Sequence, residues 1–465
     1  GRAVKGADDI PAGLQALAPL LTGADALQRI ATIRNDRTRL VCRGPSQSEP
    51  VFLHLDRYTT ETAAGHKEEG CEVEVHAAPQ AEQAALQMGM FLRNALGLAP
   101  IRQSKMGRCL AVIRGGLATP SAPKKVILDM DTGVDDALAL SMALRSGCLD
   151  VLAVTAVGGN VPVSQVASNI AVVVAMVRGT SKTWRTKSVP RIAIGVEPGG
   201  GRRDASDVHG PDGIGGVTMR RDYQKWVRAA RRLRPRQDAG RLVAELLQSH
   251  PVGEITLVTT GPLSNVADWI DKFPEAVIRL KAIIAMGGVF FDCGNRSPAA
   301  EFNIHADPTA ARKVVEFCRA PVMERYVWRE RVPLTFVGLD VTHRVTLLRS
   351  KVEQAAAKHG RGSGLARFVG HLTAHYMNFY RRNEGLDGCY LHDPLAIGYA
   401  INPTFCKAEQ FHVEIEDKGE FTSGASVADY RPTRIFKDRG KEVTWVCYQV
   451  RASDFEAYFH RCLGL

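Results

Sequence analysis

The stretch KKVILDMDTGVDDALALSMALRS, residues 124–146, decides the fold class of the main part of this 465-residue chain. It opens with an apolar run of strand character, and Gly133 permits a tight turn where that run ends. Apolar residues at helical spacing follow directly. We therefore predict a buried strand, a tight turn and a helix, with four carboxylates where the strand meets the helix: Asp129, Asp131, Asp135 and Asp136.

The same alternation of strand and helix continues along the chain. LDVLAVTAVGG (149–159) predicts the next strand, and VSQVASNIAVVVAMVRG (163–179) predicts the helix behind it. EITLVTTGPLSNVADWI (254–270) and KAIIAMGGVF (281–290) repeat the pattern. For residues 124–465 we therefore predict an α/β fold with an open, mostly parallel (mixed) sheet flanked by helices. In such sheets ligands bind at the carboxyl ends of the strands, where the polar clusters of this sequence fall.

A second, smaller unit precedes this domain. Residues 1–114 predict a small α+β module of unknown function, with strand-like alternation in RLVCR (39–43), VFLHLD (51–56) and CEVEVHA (71–77). GGLATPSAP (115–123) lacks periodicity and is rich in Gly, Pro and Ser, so we interpret it as a linker.

The composition indicates an ordinary globular protein. Hydrophobic residues make up 45% and charged residues 23% of the chain. We find no run of about 18 apolar residues that would predict a membrane span. The ten cysteines form no C-x-x-C pair, which argues against a disulfide scaffold or a zinc cluster. Scattered thiols are typical of a reducing compartment, so we predict an intracellular protein, either cytoplasmic or mitochondrial/organellar.

The four clustered carboxylates need an explanation, because like charges this close repel unless a cation neutralises them or some stay protonated. Capping of the helix N-terminus accounts for one or two of them, but not for four. Oxygen ligands suit hard cations such as Ca²⁺ or Mg²⁺, which favours a metal site. The alternative is a phosphatase-like D-x-D-x-T motif with Asp129 as nucleophile, which fits poorly because Thr132 comes one residue too early.

Five blocks of sequence resemble the inosine–uridine-preferring nucleoside hydrolase family, in family order and over residues 124–465. They are DMDTGVDDA (129–137), HGPDGIGG (209–216), ITLVTTGPLSNVA (255–267), GNRSPAAEFNIHADP (294–308) and GCYLHDPLAI (388–397). The resemblance implies Ca²⁺-dependent hydrolysis of the N-glycosidic bond of ribonucleosides to free base and ribose. It also implies a homodimer or a homotetramer.

The resemblance assigns roles to individual residues of this chain. It implies a calcium site formed by the Thr260 backbone carbonyl and three carboxylates, those of Asp131, Asp136 and Asp393. Asp131 would also orient and deprotonate the attacking water, His392 would assist departure of the base, and Asp129 would hydrogen-bond to the turn. The ribose hydroxyls would be held by Asp135, Asn160, Asn295, Glu301 and Asn303.

Other positions of the expected pocket are apolar or aromatic. His209, Met286 and Phe302 resemble pocket-lining positions of the family, although Met and Phe are equally common in a core. Tyr376 and Tyr380 are four residues apart on a predicted helix, so both rings could face the pocket and stack on the base. Packing in the core is the alternative for this pair.

These residue types suit the reaction. Cleavage of an N-glycosidic bond passes through an oxocarbenium-like sugar, whose positive charge is stabilised by nearby carboxylates. A metal-bound water loses its proton more easily, which provides a nucleophile near neutral pH. The leaving base must take a proton or a hydrogen bond, and an imidazole can supply it.

One segment does not follow from nucleoside hydrolysis. Residues 217–236, VTMRRDYQKWVRAARRLRPR, hold eight Lys or Arg against one acid, Asp222, in a chain of net charge +11. A basic amphipathic helix here could bind RNA or a protein assembly, or could simply be a solvated face. Its apolar face would consist of Tyr223, Trp226, Ala230 and Leu233.

Two hypotheses about function therefore stand. The set of site residues favours an active Ca²⁺-dependent nucleoside hydrolase. The alternative is a structural or RNA-associated subunit of a larger assembly, for example an organellar one, that retains the fold. It is favoured by the basic segment, by the N-terminal module and by MERYVWRERV (323–332), a second basic stretch that looks inserted.

Overall fold

A nine-stranded mixed sheet forms the centre of the larger of the two units into which the chain divides, Ala122–Leu465; the smaller unit is Gly1–Ser121. The computed structural model describes residues 31–42, 51–62, 67–77, 123–180, 188–199, 205–319, 322–324, 327–329, 332–359, 364–431 and 444–465.

In the smaller unit the described residues form an antiparallel meander of three strands: β1 (Ala31–Cys42), β2 (Val51–Thr62) and β3 (Lys67–Ala77). The central strand is β2, in which Leu53 pairs with Leu40 on one side and with Val75 on the other. The three stretches of strand-like alternation overlap these strands. The helix predicted for this module lies outside the described residues, so its α+β class stays a prediction.

The strands described in the larger unit are β4 (Lys124–Met130), β5 (Leu149–Ala156), β6 (Arg191–Ile194), β7 (Thr256–Thr259), β8 (Ala282–Met286), β9 (Val322–Glu324), β10 (Val327–Arg329), β11 (Leu334–Val337), β12 (Thr346–Leu348), β13 (Gly388–Tyr390), β14 (Cys406–Ile415), β15 (Ser426–Asp429) and β16 (Thr444–Val450). Parallel neighbours run in the order β6-β5-β4-β7-β8-β11-β16, and antiparallel β14 and β15 extend the sheet beyond β16. Two short antiparallel pairs of strands, β9–β10 and β12–β13, lie outside this sheet.

The described α-helices of this unit are α1 (Val134–Arg145), α2 (Val163–Thr180), α3 (Ser206–His209), α4 (Gln224–Ala230), α5 (Ala239–Gln248), α6 (Ser264–Lys272), α7 (Pro274–Val277), α8 (Phe302–Ala306), α9 (Pro308–Arg319), α10 (Leu339–Thr342), α11 (Arg349–His359), α12 (Gly364–Asn383), α13 (His392–Ile401) and α14 (Ala452–Leu463). They cover both faces of the sheet. One apolar core contains α1, α2, α12 and α13, and a second core contains α5, α6 and α9.

The buried strand β4 shows why the sequence folds in this way. Its side chains alternate between the two cores, with Val126 and Leu128 in one and Ile127 in the other. Because β4 lies between β5 and β7 and is covered on both faces, it needs an uninterrupted apolar run rather than an apolar–polar alternation. The predicted mostly parallel sheet flanked by helices is confirmed.

Helix α2 is apolar because it belongs to the core. Among the described helices, it is the one that is long and apolar enough to cross a membrane by length and composition. Its residues from Val166 to Val177 are almost all buried, and it packs on β5 and β6. Burial against the sheet accounts for its composition.

The structure corrects the prediction of one continuous helix over residues 217–236. Two 3₁₀ turns, Val217–Met219 and Arg221–Tyr223, come first, and the α-helix that follows is the seven-residue α4. Extended backbone at Arg220, with ψ of 138°, separates the two turns. The helical path ends near Leu233, because Arg234 has a positive φ of 42° and Pro235 follows it.

The apolar face predicted for this segment is present despite the shorter helix. Tyr223 and Ala230 are buried, and Trp226 and Leu233 are partly buried against the first core. Hydrogen bonds from Arg232 N to Ala229 O and from Leu233 N to Ala230 O continue the helical spacing beyond α4.

The parallel strands place the predicted site residues at one edge of the sheet. The carboxyl ends of β4, β5, β7 and β8 lead directly into Asp131, Val157, Thr260 and Gly287. Adjacent strands are about 4.8 Å apart, so the loops that follow them meet. The aspartates after β4 are therefore next to the loops after β5 and β7.

Candidate active site

The turn between β4 and α1 is tightly enclosed. A Cβ atom on Gly133 would lie 2.6 Å from His209 Nδ1 and 2.7 Å from Asn160 Nδ2. A Cβ atom on Gly159 would lie 2.1 Å from Asp131 Oδ2. Only glycine fits at both positions without displacing these polar side chains, so the glycines let three loops close around the carboxylates.

Two of the aspartates receive hydrogen bonds from the surrounding loops. Asp136 Oδ1 accepts from Thr260 Oγ1 at 2.6 Å, and its Oδ2 accepts from Gly133 N at 2.9 Å and from Asn160 Nδ2 at 3.3 Å. Asp131 Oδ2 accepts from Asn160 N at 2.9 Å. These bonds fix both carboxylates on the floor of the site.

A trio of carboxylates is placed as a metal ion would require. Oxygens of Asp135, Asp136 and Asp393 lie within 4.8 Å of one another, and all three residues are buried. Asp131 lies outside this trio, but its charge and that of Asp136 interact. Among the described residues, no hydrogen-bond partner is found for the buried Oδ1 atoms of Asp131 and Asp135.

The electrostatics of the cluster favour a bound cation. Burial raises the pKa of Asp135 to about 7, with a further increase from the Asp136 charge. Burial likewise raises the pKa of Asp131 and of Asp393 well above the ordinary value, and neighbouring carboxylates add to both shifts. Buried unpaired oxygens and mutual repulsion are both relieved by one hard cation, so the donor set fits a metal ion.

Asp129 has a different role from the predicted bond to the turn. Its Oδ1 accepts from Thr155 Oγ1 on β5 at 2.5 Å and from Asn265 Nδ2 on α6 at 2.7 Å. It therefore ties β4 to the next strand and to a helix. It is fully buried and does not line the cavity, which excludes it as the nucleophile of a phosphatase.

A cavity of about 360 Å³ opens over the carboxylates. All the predicted site residues except Asp131 and Asp136, which lie beneath it, line its wall: Asp135, Asn160, His209, Thr260, Met286, Asn295, Glu301, Phe302, Asn303, Tyr376, Tyr380, His392 and Asp393. These residues lie far apart in the sequence, and the fold brings them together around one space large enough for a small ligand.

The GNRSPAAEFN loop forms one wall of the cavity. Glu301 caps α8, with Oε1 accepting from Asn303 N at 2.8 Å and Oε2 from Ile304 N at 3.1 Å. Asn303 Nδ2 donates to the carbonyl oxygens of Thr260 at 2.9 Å and Met286 at 3.1 Å. The Thr260 carbonyl is thereby held beside the carboxylates, with its second lone pair available to a ligand.

His209 is a neutral wall of the cavity. Its Nδ1 accepts a hydrogen bond from Val134 N at 3.0 Å, so the ring carries its proton on Nε2. Nδ1 is also 3.8 Å from Asp135 Oδ1, but it has no proton to offer that oxygen. Burial lowers the pKa of His209 to about 3, with a smaller effect from His375. The ring stacks on Tyr376, with centroids 5.1 Å apart.

A chain of hydrogen-bonding groups connects His392 with the carboxylates. Tyr380 Oη is 3.4 Å from His392 Nε2 and 3.3 Å from Tyr376 Oη, which donates to Asp135 Oδ2 at 3.3 Å. The other imidazole nitrogen, Nδ1, is 2.8 Å from Thr342 Oγ1. Burial lowers the pKa of His392 well below the ordinary value, and raises that of both tyrosines. All three groups are therefore neutral at physiological pH.

Sequence reasoning missed several residues of this site. Asp207, Arg296, Phe379 and Glu384 also line the cavity. Of these, only Arg296 lies within one of the five blocks that resemble the family. Asp207 and Phe379 lie in α3 and α12 and Glu384 follows α12, and no sequence pattern marks these charged or aromatic side chains as part of a cavity wall. The supporting residue Asn265 could have been found, because it lies within the block 255–267, whereas Thr342 lies outside all five blocks.

Comparison with known proteins agrees with this geometry. The model of the inosine-uridine preferring nucleoside hydrolase family matches residues 126–457. The chain belongs to this family. The inosine-uridine preferring nucleoside hydrolase of Leishmania major is 35% identical over 315 residues, which are 67% of this chain and 90% of that protein. Family membership makes this chain an N-ribosyl hydrolase.

Solved structures of other nucleoside hydrolases share the fold of this one. A plant nucleoside hydrolase superposes with a TM-score of 0.61 at 26% identity, covering 74% of this chain and 100% of that chain. A purine-preferring ribonucleoside hydrolase from Gardnerella vaginalis gives a TM-score of 0.59 at 26% identity, covering 73% and 98%.

The stabilisation of this nucleoside hydrolase by a divalent cation should increase with pH. The pKa of Asp135 is about 7 in the folded protein, and those of Asp131 and Asp393 are raised well above the ordinary value of about 4, so the contribution of these groups to stability is lost as pH rises from 4 through their pKa values in the folded protein. At pH 5 a cation must displace protons from the buried carboxyl groups, whereas at pH 8 it relieves the repulsion between ionised carboxylates. Differential scanning fluorimetry should therefore show a larger cation-induced rise in unfolding temperature at pH 8.

The comparison with and without cation at each pH cancels the opposite contribution of His209, whose lowered pKa favours the folded state as pH rises. An equal shift at both pH values would show that the cation does not bind the carboxylates.

Proposed function

We propose that this protein hydrolyses the N-glycosidic bond of ribonucleosides, in a Ca²⁺-dependent reaction, to a free base and ribose. One observation carries the proposal: a single cavity has buried carboxylates at its floor and a neutral imidazole with two tyrosine hydroxyls at its wall. The first set suits a cation, a water and a positively charged sugar. The second suits a leaving base.

The calcium ligands in this proposal are the carboxylates of Asp131, Asp136 and Asp393 and the Thr260 carbonyl. The donors are all oxygen, as Ca²⁺ prefers, and the partnerless Oδ1 of Asp131 supports its inclusion. A cation bound here would lower the pKa of a coordinated water. Asp131, at the end of β4, would hold that water and accept its proton.

Asp135 is assigned to the ribose, although it could also serve the cation. It lines the cavity, whereas Asp131 lies below it, and Tyr376 Oη donates to its Oδ2. Its other oxygen is free to accept from a sugar hydroxyl. The remaining ribose contacts in this proposal are Asn160, Asn295, Glu301 and Asn303, each of which lines the cavity. Carboxylates around the sugar would stabilise the positive charge that develops as the bond to the base breaks.

The base would lie against His392 and the two tyrosines, with His209, Met286 and Phe302 as further walls. His392 is neutral, so it can donate from only one nitrogen at a time. If the Thr342 hydroxyl donates to Nδ1, the Nε2–H faces Tyr380 and the cavity. The imidazole and the Tyr380 hydroxyl would then supply the hydrogen bond that the departing base needs.

The retained site favours an enzyme over a subunit that only preserves the fold. A scaffold does not need buried, mutually repelling carboxylates, which cost stability unless they serve a ligand. The seven cysteines of the larger unit are free thiols, which supports an intracellular location. The homodimer or homotetramer implied by family resemblance stays a prediction.

Purified protein should release free base from inosine and uridine, and a chelator such as EGTA should abolish the release. Added Ca²⁺ should restore activity, and Mg²⁺ should restore it poorly, because Mg²⁺ requires stricter octahedral geometry and retains its water. Reducing-sugar and base-absorbance assays report both products. Undiminished hydrolysis after complete removal of metal would contradict the cation requirement.

Asp131→Asn should lower kcat by at least about 10³-fold and also weaken Ca²⁺ binding, because one carboxylate serves water and cation. Isothermal titration calorimetry and steady-state kinetics measure the two effects. Asp340→Asn is the matched control, since Asp340 is buried but only accepts backbone hydrogen bonds from Phe290 and Phe291. Turnover near the wild-type rate in Asp131→Asn would remove Asp131 from the mechanism.

His392→Ala should lower kcat for inosine by about 10²-fold or more, the usual scale of acid assistance. A nitrophenyl riboside, whose leaving group needs no proton, should be cleaved almost normally. His343→Ala is the control, because that imidazole is 5.4 Å from His392 but does not line the cavity. Equal losses on both substrates would mean that His392 positions the sugar rather than assisting the base.

A further inference from the structure

A strongly cationic surface lies outside the cavity, on the segment from Arg220 to Arg236. All eight of its cations are exposed, and we call them the basic surface: Arg220, Arg221, Lys225, Arg228, Arg231, Arg232, Arg234 and Arg236. None of these residues lines the cavity. Small, neutral nucleosides do not require such a charge.

The helical spacing of the segment separates its cations from its apolar residues. Arg221, Lys225, Arg228 and Arg232 follow one another at intervals of three or four residues, which places them along one side. The apolar side is already occupied: Tyr223 packs edge-on against Phe368, and Ala230 is buried.

Trp226 is fixed in the same way. A Cβ atom on Gly179 would lie 1.8 Å from the indole ring, so the ring rests directly on the glycine backbone of α2. The segment is therefore held by its apolar side chains, which leaves the arginines free to contact a partner.

Little of this charge is compensated by ion pairs among the described residues. The only acid of the segment, Asp222, pairs with Arg367 on α12 at 2.8 Å rather than with a member of the basic surface. Arg236 pairs with Glu245 at 3.0 Å, and Arg220 Nη2 contacts His371 at 3.2 Å. Among the described residues, no ion pair involves the five other arginines: Arg221, Arg228, Arg231, Arg232 and Arg234.

The end of the basic surface is anchored to the sheet. Arg236 N donates to Ile192 O at 2.8 Å, and Arg236 O accepts from Ile194 N at 2.8 Å, so the chain continues the edge beside β6. Within the described residues, Arg234 is the one non-glycine residue with a positive φ, and its turn leads the chain to that edge. Arg191, exposed on β6, extends the cationic area.

We propose that the basic surface binds the phosphodiester backbone of a single-stranded nucleic acid. Seven of its eight cations are arginines, whose planar guanidinium groups bind phosphate with two hydrogen bonds and can stack on bases. This binding is separate from hydrolysis and extends what the protein does beyond it.

Two other kinds of partner fit the surface less well. A membrane-surface helix needs an apolar face for the bilayer, and here that face is packed against the core. Protein interfaces are centred on apolar anchors and are depleted in charge at their core, whereas this surface offers cations and few exposed apolar groups. A flexible chain of phosphates requires neither an exposed apolar face nor apolar anchor residues.

Fluorescence anisotropy with labelled oligouridylate and oligothymidylate of about 20 nucleotides tests the proposal. Five uncompensated arginines predict that log K falls with log[salt] at a slope of about −3.5, so that affinity drops about 10²-fold between 50 and 200 mM salt. The triple variant Arg228→Gln, Arg231→Gln, Arg232→Gln should reduce the slope to about −1.5. Tighter binding of the uridylate would indicate RNA, and equal binding would indicate the shared phosphodiester backbone.

The matched control is Arg344→Gln, Lys351→Gln, Lys407→Gln, which removes the same charge from exposed positions elsewhere. This control variant should bind the oligonucleotides with the affinity of the wild type. The triple variant of the basic surface should also hydrolyse inosine at the wild-type rate if it is folded, because the changed residues do not line the cavity.

The proposal is overturned if the wild type does not bind either oligonucleotide, or if the control loses as much affinity as the triple variant. It is also overturned if phosphatidylserine vesicles or polyglutamate bind more tightly than the oligonucleotides. Binding and hydrolysis are measured separately, so an inactive enzyme that binds nucleic acid would contradict only the hydrolase proposal.

Discussion

The burial of several aspartates at the carboxyl edge of one sheet is the constraint on which the rest of the structure depends. Carboxylates removed from water and placed side by side repel one another, and burial, with a further increase from the Asp136 charge, raises the pKa of Asp129 and Asp135 to about 7. The surrounding loops compensate by directing N–H and O–H groups inward, from Thr260, Asn160 and the turn itself. Among the described residues, the Oδ1 atoms of Asp131 and Asp135 are left without a hydrogen-bond partner, which is the arrangement that a bound cation would complete.

The opposite wall of the cavity carries neutral hydrogen-bonding groups instead of carboxylates. There the titratable groups are imidazoles and phenols, and burial keeps them in the neutral form that carries a proton available for donation. The carboxylates at the floor of the cavity and the neutral imidazole and phenol groups of its wall are connected through Tyr376, which contacts both Asp135 and Tyr380. In the reaction that we propose, positive charge on the sugar would be stabilised by the carboxylates, and negative charge on the departing base would be stabilised by the imidazole and phenol groups.

Much of the fold could be predicted from the sequence, because it depends on short-range patterns, whereas the individual residues of the site were implied by the resemblance of five sequence blocks to the family. The apolar run of β4, its terminal aspartates and the alternation of later strands and helices specify a parallel sheet with a site at one edge. The role of Asp129 could not be predicted, since its partners Thr155 and Asn265 lie on other elements. The basic segment was predicted as one helix, because side-chain periodicity does not reveal the extended backbone at Arg220 or the positive φ at Arg234. Cavity walls such as Glu384 depend on tertiary packing, which leaves no local pattern.

The contact between Trp226 and Gly179 has an evolutionary consequence. The Trp226 ring, which packs on the backbone of Gly179, holds the basic surface together with a few other apolar side chains. The arginines of the basic surface make few contacts with the other described residues. Their number and spacing can therefore change by single substitutions at little cost to folding, provided that the glycine remains. Natural selection can adjust the charge of this surface in one lineage after another while the catalytic pocket stays as it is.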